Sequence, residues 1–160
     1  MNRLCVVMVV VLLAPALGWA QDVPTAVEIK KVQDYMENGK DKGPVLMEVV
    51  ACLNVDNKKG SATAFDCIEP VNGPVKKGTM VHVWTSWALP KGGKYEDITV
   101  QWLHEGSVRS TSDIAFEGSE KWSNPRARTW KSSNMSKTGK WEMKVQREGK
   151  ELGSVSVTVE

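Results

Sequence analysis

The 160 residues suffice for one domain, and their 21 basic and 19 acidic side chains leave a formal net charge of only +2. So balanced a chain has no general electrostatic reason to bind nucleic acid or an anionic membrane surface. Neither is expected as a partner.

The first twenty residues have the three parts of a secretory signal peptide. Arg3 supplies the positive charge, the run from Leu4 to Leu17 is apolar, and the small residues of Gly18-Trp19-Ala20 precede the expected cleavage. Cleavage there gives a mature chain that begins at Gln21 and is periplasmic or secreted. The alternative is a retained membrane anchor, but the apolar run is short for a spanning helix and Pro15 interrupts it. No stable membrane insertion is expected after cleavage.

Residues 21–44 are predicted to form a short helix and a linker. Thr25 and Glu28 fit a capping box, and apolar residues recur at helical spacing as far as Met36. Asn38-Gly39 ends the predicted helix, and residues 39–44 form a flexible connector. The narrow apolar face also fits a loosely docked arm.

From residue 45 to residue 160 the sequence predicts one all-β domain, because short apolar-rich runs alternate with turn residues. Eight runs indicate an antiparallel two-sheet sandwich, and the C-terminal pair, which turns at Glu148-Gly149, alternates most clearly between apolar and polar residues. The predicted strands are Val45–Val55, Thr63–Glu69, Thr79–Leu89, Asp97–His104, Val108–Phe116, Arg126–Ser133, Lys140–Arg147 and Glu151–Val159.

Two cysteines, Cys52 and Cys67, remain after cleavage of the leader. An even count in an exported chain predicts a disulfide, since the compartment is oxidising. Two free buried thiols are the alternative. A metal site is less expected, because the spacing is long and no second Cys or His pair accompanies it.

Four segments in the second half of the chain resemble a widespread bacterial family of exported domains of unknown function. The segments are VWTSWALP, ITVQWLHEG, RARTWKSS and KTGKWEMKVQREGKELGSVSVTV, between Gly78 and Val159. The resemblance implies export and an immunoglobulin-like fold, and it brings no catalytic residues to carry over.

No arrangement of residues predicts catalysis, a metal or a cofactor. The only histidines are His82 and His104, both in strand runs, and no GxSxG elbow, CxxCH, P-loop or GxGxxG pattern occurs. The chain is therefore predicted not to be an enzyme.

Tryptophans and arginines supply the candidate binding residues. Trp102 and Trp141 share their strand faces with aliphatic residues and are predicted to lie in the core. In the run Thr79–Leu89, alternation places Trp87 on the better core face and leaves His82 and Trp84 outside or at an edge, where Trp84 could be replaced without unfolding the domain. The core-facing set is Val81, Val83, Thr85 and Trp87.

Arg126 and Arg128 lie on the same face of their strand as Trp130. An arginine stacked on tryptophan is the favoured interpretation, and an anion or carboxylate site is the alternative. The predicted binding residues are thus His82, Trp84, Arg126 and Arg128.

Together these features favour a noncatalytic exported module that binds another cell-envelope component, either a protein or a glycan. The alternative is a carbohydrate-binding module that uses exposed tryptophans, and an enzyme with an unrecognised site comes third. Exposure of Trp84 and Trp122 discriminates between the first two: a flat row of exposed rings favours sugar, whereas a single apolar patch favours protein.

Overall fold

The computed structural model describes residue 30 and the ranges 43–89, 94–117 and 126–160. The predicted signal peptide lies outside these residues, as does the predicted helix and linker apart from Lys30, Gly43 and Pro44. Within the described ranges no helix is long and apolar enough to cross a membrane. Eight strands are present: β1 Val45–Val55, β2 Cys67–Pro70, β3 Met80–Ala88, β4 Lys94–His104, β5 Ser107–Glu117, β6 Arg126–Asn134, β7 Gly139–Arg147 and β8 Lys150–Val159.

The strands form two four-stranded sheets, and every pair of neighbouring strands is antiparallel. Sheet A has the order β2-β1-β3-β6, and sheet B has the order β5-β4-β7-β8. The two sheets pack face to face around one main core. The predicted immunoglobulin-like antiparallel sandwich is therefore confirmed.

The core is built by the alternation that the sequence displays. The predicted inner face of β3 is fully buried, and its one polar member is satisfied: Thr85 Oγ1 donates to Thr129 O at 3.2 Å and accepts from Trp87 Nε1 at 2.8 Å. From sheet B, Trp102 and Trp141 are 1% and 3% exposed, as predicted. Trp141 Nε1 donates to Lys137 O at 2.8 Å, so this buried ring keeps its hydrogen bond.

Two tight turns join neighbouring strands of sheet B. Glu105-Gly106 joins β4 to β5, and Glu148-Gly149 joins β7 to β8 as predicted. All four residues have positive φ, from 47° to 78°. Two consecutive positive φ values are the mark of a type I′ turn, whose twist matches that of the flanking strands.

Replacing either core tryptophan by alanine is expected to lower the free energy of unfolding by about 3–5 kcal/mol, because each ring is buried between the sheets. Urea denaturation of Trp102→Ala and Trp141→Ala measures this loss. Val108→Ala is the control: Val108 is 54% exposed, so its loss should cost no more than about 0.5 kcal/mol. Tryptophan variants as stable as the control would contradict the assignment of these rings to the core.

Candidate binding surface on the outer face of sheet A

The register between β3 and β6 places all four predicted binding residues on one surface. Trp84 lies opposite Trp130, and His82 lies opposite Ser132. Further along the same two strands, Arg128 and Arg126 lie opposite Ser86 and Ala88. Since the other face of β3 fills the core, these residues belong to the outer face of sheet A. The side chain of Arg126 lies outside the described part of the structure.

A loop of residues 56–66, here called the cover loop, joins β1 to β2 and is held together by Asp56. The Asp56 carboxylate accepts hydrogen bonds from Ser61 Oγ, from Lys58 N at 2.9 Å and from Thr63 Oγ1 at 2.8 Å. These bonds, that from Ser61 first, hold the pKa of Asp56 below its ordinary value. The loop explains why β2 begins at Cys67: the predicted start at Thr63 is wrong, because residues 62–65 form turns.

The cover loop lies across the outer face of sheet A and reaches its edge at β6. Trp84 Nε1 donates to the backbone oxygen of Phe65 at 2.7 Å, and the Phe65 ring stacks on Trp130 with 6.3 Å between ring centroids. At the edge, Arg128 forms an ion pair with Asp66, with Nε and Oδ1 3.0 Å apart. The loop is thus attached to both central and edge strands.

A second, smaller core lies beneath the loop. Cys52 and Cys67 are joined by the predicted disulfide, with Cα atoms 5.9 Å apart, and Cys52 is buried together with Val55 and Trp84. The prediction that Trp84 lies outside or at an edge is wrong, because the ring is 6% exposed. Its burial also removes the basis for expecting that it can be replaced without unfolding the domain. The physical reason is that sheet A is covered on both faces, so β3 has no solvent-facing side at this point. Trp87 also stays buried, so the two faces are not reversed.

Arg128 binds a carboxylate of the cover loop. Its guanidinium binds Asp66, and its Nη1 lies 3.4 Å from Ala64 O, whereas the ring that stacks on Trp130 belongs to Phe65. Arg128 therefore attaches the cover loop to β6.

What the cover loop leaves exposed is a mixed apolar and polar surface, here called the outer patch. Phe65 is 37% exposed and Met80 is 47% exposed. Met80 and His82 share the outer face of β3, and the half-buried His82 lies between Met80 and Phe65. The patch comprises Phe65, Met80, His82, Trp130 and Ser132.

Sequence reasoning missed Phe65 and Met80 as binding candidates. For Met80 the indication in the sequence was that it lies two residues from His82, on the same face of the strand. For Phe65 it was a lone aromatic in a polar loop, two residues before the disulfide cysteine Cys67. Neither signal identifies a binding residue without the cover loop.

The polar centre of the outer patch is a pair of side chains. His82 Nδ1 and Ser132 Oγ are 2.6 Å apart, and burial lowers the pKa of His82 below its ordinary value, which favours the neutral ring. The contact holds the orientation of the His82 imidazole on the outer face.

No three or more His, Cys, Asp or Glu side chains in the described part of the chain are grouped so that they could hold a metal ion.

No family model and no curated protein matches the sequence. Solved structures match at low similarity. An alkylpurine DNA glycosylase of Pseudomonas fluorescens, bound to DNA containing an abasic site analog, has a TM-score of 0.47 and 8% identity over 84% of this chain and 35% of its own. This chain therefore spans about a third of that protein.

Two smaller proteins match over most of their own length. An immunoglobulin-like protein from Pseudomonas aeruginosa has a TM-score of 0.39 and 12% identity, over 75% of this chain and 94% of that one. A CARDB domain from Pyrococcus furiosus has a TM-score of 0.37 and 13% identity, over 74% and 96%. At these scores none of the three assigns an activity or a ligand. The chain is an immunoglobulin-like domain, and its resemblance to one family of exported domains stays a prediction.

Trp84→Ala is now expected to destabilise the domain by about 3 kcal/mol, because it empties the small core beneath the cover loop. Trp84→Phe keeps most of the buried ring and loses the hydrogen bond to Phe65 O, so its cost should be about 1 kcal/mol. Urea denaturation of both variants measures these losses. If Trp84→Ala loses no more than Trp84→Phe, the ring does not support the cover loop.

Acidification is expected to weaken the fold through His82. Because burial lowers the pKa of His82 from 6.5 in the native state, the unfolded chain binds the proton more tightly. The contribution of the neutral ring is therefore complete above the unfolded pKa and is lost as the pH falls below it. Unfolding free energies of the wild type and His82→Asn, measured at about pH 7.5 and about pH 5, should converge at the lower pH. Parallel losses in both proteins would contradict this role for His82.

Proposed function

We propose that this protein is a noncatalytic, exported interaction module that binds a protein component of the cell envelope through the outer patch. The observation that carries the proposal is Phe65, whose backbone is left-handed, with φ of 66°, and whose ring is nonetheless partly exposed. That conformation is unfavourable for a bulky residue by roughly 1–2 kcal/mol, and glycine or asparagine would adopt it more readily. Strain of this kind is found at functional sites.

The outer patch is also preorganised for binding. Its aromatic part is held from below by the Trp84 hydrogen bond, and the loop that carries it is closed by the disulfide and by Asp56. A surface whose side chains are already ordered loses little conformational entropy on association. The small core beneath the loop thus supports the binding surface.

The composition of the patch favours a protein partner. Trp84, which a row of sugar-stacking rings would need, is buried, and Trp122 lies outside the described residues. What remains is a stacked pair, Phe65 and Trp130, with an exposed methionine farther along the face. Aromatic and methionine side chains beside polar groups are typical of protein interfaces.

Two features support the proposed location. Residues 1–20 have the pattern of a secretory leader, and a disulfide such as Cys52–Cys67 is stable in an oxidising compartment.

Site-specific photo-crosslinking in intact cells of the native host tests the proposal. A photoreactive phenylalanine analogue replaces Phe65 or Met80 in one pair of variants. In the control it replaces Thr158, an exposed residue of β8 in sheet B. We expect both patch positions to give an adduct with the same envelope protein and position 158 to give none. Adducts with glycan strands, or equal labelling at all three positions, would contradict a protein-binding outer patch.

Phe65→Gly separates binding from stability. Glycine relieves the left-handed backbone, worth roughly 1–2 kcal/mol, and loses the stacking on Trp130, worth about 0.5–1.5 kcal/mol. We therefore expect the free energy of unfolding to change by less than about 1 kcal/mol, while crosslinking from position 80 to the partner is lost. A variant that retains the adduct would show that the ring is not the anchor.

A further inference from the structure

One of the two edge strands of sheet B is open along its whole outer side within the described part of the chain. β5, Ser107–Glu117, pairs with β4 and with no other described strand. Its register with β4 is regular from Ser110 to Ile114, since the two irregularities lie on either side of that stretch. A regular edge of this length presents backbone donors and acceptors to any strand that approaches it.

The other three edges are less suited to pairing with a second copy of themselves. β2 has only four residues and ends at Pro70, which has no backbone N–H to donate. β8 is irregular at Leu152, which lies between the pairs Val145–Gly153 and Gln146–Glu151. Its end is covered by residue 75, since Val75 N donates to Thr158 O and Glu160 N donates to Val75 O, both at 2.9 Å. β6 carries three cations and no anion, so a second β6 would meet like charges. Those cations are Arg126, Arg128 and Lys131.

β5 carries charges that suit pairing with itself. Thr111 and Asp113 lie on the face opposite the buried Ile114, and Arg109 adjoins this regular stretch at the irregularity between Val108 and Ser110; all three are exposed. In an antiparallel pair of β5 strands with Thr111 opposite Thr111, Arg109 of each copy lies across from Asp113 of the other, within reach of its long side chain. Within the described residues neither charge forms an ion pair, and the self-paired arrangement supplies two.

We infer that a second copy of this chain pairs with the β5 edge, antiparallel and centred on Thr111, so that sheet B becomes a continuous eight-stranded sheet across the dimer. The interaction is isologous, with the same strand contributed by both copies, and it therefore closes as a dimer. It uses sheet B and shares no residue with the outer patch on sheet A.

Cysteine crosslinking of the full-length, exported chain in intact cells tests the pairing. Side chains directly opposite in an antiparallel pair have Cβ atoms about 5 Å apart, so Thr111→Cys should give a covalent homodimer with a short bismaleimide. The matched control is Thr158→Cys, an exposed threonine on the other edge strand of the same sheet, and it should stay monomeric. Dimer yields no higher than the control, or an adduct with a different protein, would overturn the inference.

Charge reversal tests the register. In the Thr111→Cys background, Arg109→Asp sets aspartate opposite aspartate twice and should lower the dimer yield roughly tenfold. The double variant, Arg109→Asp with Asp113→Arg, restores both ion pairs and should recover the yield. Circular dichroism of each purified variant checks that the fold is retained. A dimer yield that Arg109→Asp leaves unchanged, or one that the double variant does not restore, would overturn the antiparallel pairing centred on Thr111.

Discussion

Burial of β3 on both of its faces is the constraint on which the rest of the structure depends. One face contributes Val81, Val83 and Trp87 to the core between the sheets, and the other places Trp84 beneath the cover loop. A strand of an antiparallel sandwich ordinarily has one solvated face. Here the disulfide and the 56–66 loop supply a second cover, so the outer surface of sheet A rests on a packed support.

The position of the candidate surface follows from that cover. Trp84 and Arg128 are the conspicuous aromatic and basic residues on this face, and the cover loop engages both, one by a hydrogen bond and the other by an ion pair. Residues that the loop carries or leaves uncovered, Phe65 and Met80, are the ones that solvent reaches. The residues that stand out in the sequence, Trp84 and Arg128, therefore hold the cover loop in place. The residues that form the exposed surface, Phe65 and Met80, are recognised only from their exposure in the folded chain.

The division between what sequence could predict and what it could not has a physical basis. The alternation of apolar and polar residues determines which side chains share a face of a strand. From it, β1 was predicted at Val45–Val55, as observed, and the residues of β3 that face the core were predicted correctly. Alternation cannot say whether a second layer covers the outer face. That depends on long-range contacts, such as Phe65 with Trp130, and on the hydrogen bonds of Asp56, which turn residues 62–65 away from the predicted strand.

The two proposed surfaces have a defined geometric relation, because they lie on different sheets of one sandwich. A twofold axis that pairs antiparallel edge strands in a continuous sheet runs perpendicular to that sheet, so directly opposite side chains point to the same side. In the β5-paired dimer, sheet A of both copies therefore lies on the same side of the extended sheet B, and both outer patches face the same direction. Two weak contacts presented in this way to one envelope surface act together, since engagement of the first raises the effective concentration of the second. Dimerisation through β5 would thus strengthen binding through Phe65 and Met80 without adding a contact to either patch.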